Sequence, residues 1–153
     1  MPSIAQYNLY FLKNLPSAWI AGVRLRSVDD AQCTMSVKHR WINQNPFNSL
    51  YFAVQAMAAE TATGVLTMQA IQKTGARVSM LVARNTSEFT KKARGRITFT
   101  CQDGHAITET VERAVTTGEG QTLWMEASGI DEQGDMVSTF RFEWTVKVKP
   151  PRK

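Results

Sequence analysis

The chain has 153 residues, 43% apolar and 20% charged, with 18 Lys and Arg against 13 Asp and Glu for a net charge of +5. These proportions fit one globular domain that buries its core without a metal or disulfide staple, and they exclude disordered, collagen-like and multidomain chains. The mild positive balance suits an anionic ligand and falls short of a nucleic-acid-binding arm.

Residues 3–15 set Ile4, Tyr7, Tyr10, Phe11 and Leu15 at helical spacing, and Pro16 is expected to end that helix. The same stretch does not read as a signal peptide, because it has no early Lys or Arg and Gln6, Asn8 and Lys13 interrupt it. Residues 20–28 predict a strand in which Val23 and Leu25 alternate with Arg24 and Arg26. Asp29-Asp30 then turns the chain into a second strand, residues 33–39, to give an antiparallel hairpin. Residues 43–49, Asn-Gln-Asn-Pro-Phe-Asn-Ser, are loop chemistry in which Asn48 or Ser49 is placed to cap a helix. That helix is expected over residues 50–73, apolar nearly all round and stopped at Gly75. The charge-poor run 41–72 is too polar and alanine-rich to cross a membrane.

Strands follow at 78–89 and 96–101, then a short helix at 106–115, a turn at Gly118-Glu-Gly120, and strands at 122–130 and 139–148. Lys147, Lys149, Arg152 and Lys153 are expected to form a frayed basic tail. Two strands, one long buried helix and four more half-wet strands make an α+β sandwich with an antiparallel sheet. Cys33 and Cys101 fall on apolar strand faces as inert core thiols, His39 reads as structural, and His105 has no assigned role. Their spacing fits neither a metal site nor a disulfide framework, so no metal and no cofactor are expected, and the compartment is expected to be reducing, the cytoplasm.

Between Arg40 and Lys73 the only charged residue is Glu60, in the middle of the apolar helix. Burial of that helix buries the carboxylate, which raises its pKa and suits a general base or acid working near neutral pH. The competing reading is a structural Glu hydrogen-bonded to Thr63 or to a strand, or placed at a wet subunit seam. The helix start supplies unpaired amides and a partial positive charge, at Tyr51, Phe52 and Ala53, that can hold an oxyanion. Lys91, Lys92, Arg94 and Arg96 form a basic run that attracts phosphate or serves only to keep a strand bend soluble. No aromatic residues interleave with it as a single-strand nucleic-acid platform requires.

The run Asn45-Pro-Phe-Asn-Ser-Leu-Tyr-Phe-Ala, followed by Glu60, resembles the hotdog-fold thioesterases of the phenylacetyl-CoA thioesterase type. Aligning the family Asn with Asn45 brings its helix carboxylate onto Glu60 without a gap, its Thr onto Ser49, its His onto Tyr51 and its two Gly onto Phe52 and Ala53. The likeness is greatest to an uncharacterised thioesterase-like branch with Tyr-Phe for His-Gly and Glu for Asp. The resemblance implies one hotdog domain over residues 1–153, with a sheet of about six antiparallel strands wrapped round one long helix. It also implies a homodimer or tetramer with an acyl tunnel between subunits, and an acyl-CoA or related thioester as partner. Its catalytic set is Glu60, Asn45 and the amides of Phe52 and Ala53, with Ser49, Tyr51, Lys91, Lys92, Arg94 and Arg96 on the substrate. A protein that binds an acyl chain in the same tunnel without cleaving it is the alternative expectation.

Overall fold

The computed structural model describes residues 2–150, so Arg152 and Lys153 of the expected basic tail lie outside the described residues. Helix α1 (Ile4–Asn14) opens on a capping box, with Ser3 Oγ accepting from Gln6 N at 3.2 Å and Ser3 N donating to Gln6 Oε1 at 2.7 Å. It buries Tyr7 and Phe11. Pro16 does not simply end the helical region. It sits at the first position of a second helix, α2 (Pro16–Ala21), where its missing N–H costs nothing. Gly22, at φ +96°, stops α2, so the strand expected from residue 20 starts only at Arg24.

Strands β1 (Arg24–Val28) and β2 (Cys33–Lys38) form the expected hairpin, and Asp29 Oδ1 holds its turn by accepting from the Ala31 and Gln32 amides at 2.8 Å each. A 3-10 turn (Trp41–Asn43) leads to helix α3 (Phe52–Thr74), which ends at Gly75 with φ +65°. Then come β3 (Val78–Phe89), β4 (Arg96–Cys101), α4 (Gly104–Thr117), β5 (Gln121–Ile130) and β6 (Met136–Val148). Helix α4 is longer than the periodicity suggested and packs beside α3 and against β5 and β6. Lys147 belongs to β6 and the Lys149 amide donates to Arg77 O at 2.7 Å, so neither residue is frayed.

All neighbours in the six-stranded sheet are antiparallel, in the order β1-β2-β4-β5-β6-β3. One face carries α3. On β6 the buried residues Phe140, Phe142, Trp144 and Val146 alternate with Arg141, Thr145 and Lys147. Gly129 lets β5 pass Phe99 of β4, since a Cβ there would lie 2.6 Å from Phe99 Cε1. Cys33 and Cys101 face each other across β2 and β4, unbridged and fully buried, and burial pushes both thiols up, Cys101 to about 12. Six antiparallel strands round one long helix are the hotdog fold. No helix among the described residues is long and apolar enough to cross a membrane.

Candidate functional site

The loop before α3 is built by its asparagines. Asn43 is buried. Its Oδ1 accepts from Arg40 N at 2.8 Å, and its Nδ2 donates to Ala21 O at 2.8 Å and Lys38 O at 2.9 Å, pinning the loop to α2 and β2. Asn45 Oδ1 accepts from the amides of Phe47 and Ser49 at 3.0 and 3.2 Å. Its side chain also exchanges bonds of 2.9 and 3.1 Å with Ser49 Oγ. Asn48 takes φ 54°, a left-handed value that Asn tolerates, and neither it nor Ser49, whose hydroxyl is engaged by Asn45, caps the helix. The N-cap position is Tyr51, which offers no side-chain cap, so the first-turn amides of Phe52 and Ala53 lack one.

Asn45, Ser49 and Phe52 line a cavity of about 400 Å³ together with Gln55, Phe89 and Lys92. Gln55 is buried and ties this wall together: its Nε2 donates to Leu50 O at 3.3 Å and its Oε1 accepts from Ser138 Oγ at 2.8 Å. Lys91 also reaches this cavity, but its ammonium is held by Asp131 at 2.6 Å and Asp135 at 2.7 Å. Lys92 lies over the Phe47 ring, and Arg94 Nε donates to Asn48 O at 3.0 Å. Arg96 begins β4, its amide bonded to Glu132 Oε1 at 2.9 Å. Tyr51 is half exposed and packs edge-on against Phe52.

Glu60 lies two turns further along α3 and borders a different cavity, of about 200 Å³. It is partly buried, and loss of water raises its pKa above the ordinary carboxylate range. Thr63 does not satisfy it, since that hydroxyl donates to the Glu60 backbone carbonyl at 2.8 Å. No described residue hydrogen-bonds the Glu60 carboxylate. Gly64, one turn on, keeps the space beside it: a Cβ there would be 3.6 Å from Glu60 Oε1 and 3.4 Å from Trp144 Cζ2. Within one chain, Asn45, Ser49 and Phe52 therefore converge, while Glu60 stands apart from them.

Residues 6–146 match the model of a family described as a domain of unknown function, DUF4442. The chain belongs to that family. No curated protein matches the DUF4442 chain in sequence. Solved structures share its fold across nearly the whole length. A Pseudomonas aeruginosa protein of unknown function described as a probable thioesterase superposes with TM-score 0.82 at 19% identity, over 97% of this chain and 99% of that one. A thioesterase from Haemophilus influenzae gives 0.72 at 11%, over 97% and 92%. A mutant thioesterase from Staphylococcus aureus gives 0.66 at 14%, over 86% and 98%. The DUF4442 chain thus shares the fold of these structures.

Sequence reasoning passed over Asn43, Gln55 and Trp144. Asn43 had a visible signal in the dense Asn run. Gln55 and Trp144 had none, because their partners Ser138 and Thr63 are more than 80 residues away along the chain.

Proposed function

We propose that the protein hydrolyses an acyl thioester, with acyl-CoA as the substrate class, in a cytoplasmic homodimer whose sites are shared between copies. The observation that carries this reading is Glu60, a desolvated carboxylate without a hydrogen-bond partner among the described residues, facing a cavity. Ionised, such a group is a ready base. It takes a proton from a water while the water oxygen bonds to the thioester carbonyl carbon. The carbonyl oxygen gains charge beside the Phe52 or Ala53 amide at the positive end of α3. Collapse breaks the C–S bond, and the departing sulfur takes the proton from Glu60.

Within one chain these groups lie too far apart for one carbonyl: Phe52 and Glu60 are eight positions apart on α3, about 12 Å along the axis. A second copy resolves this. Strand β3 is an open edge of the sheet, exposed from residue 83 to 89, and edges of this kind are commonly covered. Twofold antiparallel pairing of β3 with its copy would set the Phe89 end of one strand against the Val78 end of the other. Phe89 borders the Asn45 cavity and Met80 borders the Glu60 cavity. Both pair with buried residues of β6, Ser138 and Val146, and so share the α3 side of the sheet. The pairing would join the loop of one copy to the Glu60 of the other. Lys92, Arg94 and Arg96 support a role for basic charge at the nucleotide phosphates. The alternative, acyl binding without cleavage, is favoured by Tyr51-Phe52-Ala53 standing where the resembled family has His-Gly-Gly.

Coexpressing Asn45→Ala and Glu60→Gln chains tests the shared site through thiol release from acyl-CoA. Each variant alone should be inactive. Mixed dimers hold one intact site of two, so random pairing should restore about a quarter of the native rate. No restoration, with each variant folded and dimeric, would put the site within one chain. No release from the native protein would leave the binding alternative.

A further inference from the structure

We infer that the protein docks on anionic lipid surfaces through the corner where the end of α2 meets the turn after β2. Trp41, Ile20 and Ile42 enter the interface there, and Arg24, Arg26 and Arg40 meet the headgroups. This does not depend on the thioester reading. Two tethers set the corner. Arg40 Nη2 donates to Ile20 O at 3.4 Å and Asn43 Nδ2 donates to Ala21 O at 2.8 Å, which lays the 3-10 turn against the end of α2. Gly22 allows the approach, since a Cβ there would lie 2.6 Å from Arg40 Nη2. Strand β1 starts beside it, with the Arg24 guanidinium 3.4 Å over the Trp19 ring and donating to Trp19 O at 2.7 Å. Arg26 Nε donates to Ser36 Oγ at 2.6 Å, and Ser36 is the residue paired with Arg24 across β1 and β2.

Three guanidiniums thus gather at one place, and none meets a carboxylate among the described residues. Elsewhere Arg84, Lys91 and Arg141 each do. The charges of Arg40 and Arg26 add to partial burial in lowering the Arg24 pKa, so the corner is a field of one sign. Its apolar side chains are equally uncovered: Trp41 is 84% exposed, Ile20 58% and Ile42 52%. None of them lines the loop cavity or the Glu60 cavity, so they project outward and do not wall a groove. A projecting Trp with two Ile and uncompensated cations matches a soft interface that requires no complementary shape. Trp rings settle at headgroup depth, and an anionic lipid layer brings the negative charge that the fold withholds. Strands β1 and β3 are opposite edges of the sheet, so the dimer pairing proposed through β3 leaves the corner open.

The test is flotation of the full chain with vesicles of phosphatidylcholine alone or with about 30% phosphatidylglycerol added. The protein should float with the anionic vesicles and not with the neutral ones, and about 0.5 M salt should release it. Arg26→Gln and Arg40→Gln should each weaken binding about fivefold, and Trp41→Ala about tenfold, with thermal melts showing each variant folded. Lipids brominated in the acyl chain should quench the native tryptophan emission, and Trp41→Phe should float yet lose that quenching. No flotation of the native protein, equal flotation with both vesicles, or binding unchanged when Arg26 and Arg40 are both replaced would overturn the inference. Anionic binding without quenching at Trp41 would overturn the entry of the apolar side chains. Release by inorganic phosphate at fixed ionic strength would make the corner a small-anion site, and a native oligomer that Trp41→Ala dissociates in light scattering would give it to a second copy of the chain; either would overturn the lipid reading.

Discussion

Replacing Glu60 by Gln keeps the side-chain volume and removes its ionisation. Burial drives this carboxyl above its ordinary value of 4.5, and no cation or donor offsets it. The folded protein therefore holds the proton more tightly than the unfolded chain does. As pH rises the unfolded chain releases its proton first, so stability falls from about pH 4.5 through the folded pKa and then levels off. Each tenfold bias toward the protonated form corresponds to about 1.4 kcal/mol. For a domain of this length 1 kcal/mol moves Tm by about 2–4 °C, which gives about 3–6 °C for each tenfold bias. Calorimetric melts of both proteins from pH 4 to pH 9 read this directly. The two should coincide at pH 4, Glu60→Gln should melt progressively higher above about pH 4.5, and the gap should level off once Glu60 is ionised in the native fold. Over the same range the variant should lose about 10²–10⁴-fold in thiol release, the usual contribution of a general base. A Tm difference that is constant with pH, or a variant less stable at pH 8, would show a partner compensating the carboxylate and refute the argument. Full turnover in the variant would remove the catalytic role.

Asn45→Ala removes the acceptor for the Phe47 and Ser49 amides. It should cost about 1–3 kcal/mol in urea unfolding, with a larger loss of kcat than Ser49→Ala produces. Lys91→Ala should show in the acid limb of stability. Lys91 is the main cause holding the Asp131 carboxyl below 3.8, so that stabilisation is present above that pH and is lost as pH falls through the folded pKa. The variant should melt below the native protein at pH 7 and converge with it once pH falls below the folded pKa of Asp131, in a series of thermal scans. Because two carboxylates already hold the Lys91 ammonium, Lys92→Ala should raise KM for acyl-CoA more than Lys91→Ala does; the reverse order would place Lys91 at the phosphates.

The sequence made the sheet and α3 readable because period two and an uncharged helical run survive in any context. The alternation through Phe140, Phe142, Trp144 and Val146 follows directly from one wet and one buried face. Helix α2 was hidden because six residues hold less than two turns of pattern, and Pro16 signals an end and a beginning equally well. The cap was misplaced for a different reason. Asn48 and Ser49 are good capping residues, but Asn45 draws Ser49 back into the loop and the chain runs two residues further before α3 starts. Glu60 was legible from its isolation in the charge pattern. Its separation from the Asn45 loop was not, because a helix start and a carboxylate two turns on share one element while lining different cavities.

The treatment of polar groups along α3 separates Glu60 from its neighbours. The buried polar side chains on this helix are Gln55, Thr61, Thr63, Thr67 and Gln69. Thr61 and Thr67 donate to carbonyls one turn back, at 2.6 and 3.0 Å. Thr63 donates to Glu60 O and accepts from the Trp144 indole. Gln55 bridges Leu50 and Ser138, and Gln69 donates to Tyr7. Each is satisfied, as buried polar groups in stable folds are. The Glu60 carboxylate differs from these: it is only partly buried, no described group donates to it, and it borders an open cavity. Packing gains nothing from that choice, since Gln or Met would fill the same space without the penalty. A carboxylate partly shielded from water, with no cation beside it and open to a cavity, has the setting that the proposed base would need: its proton can come from something other than the protein.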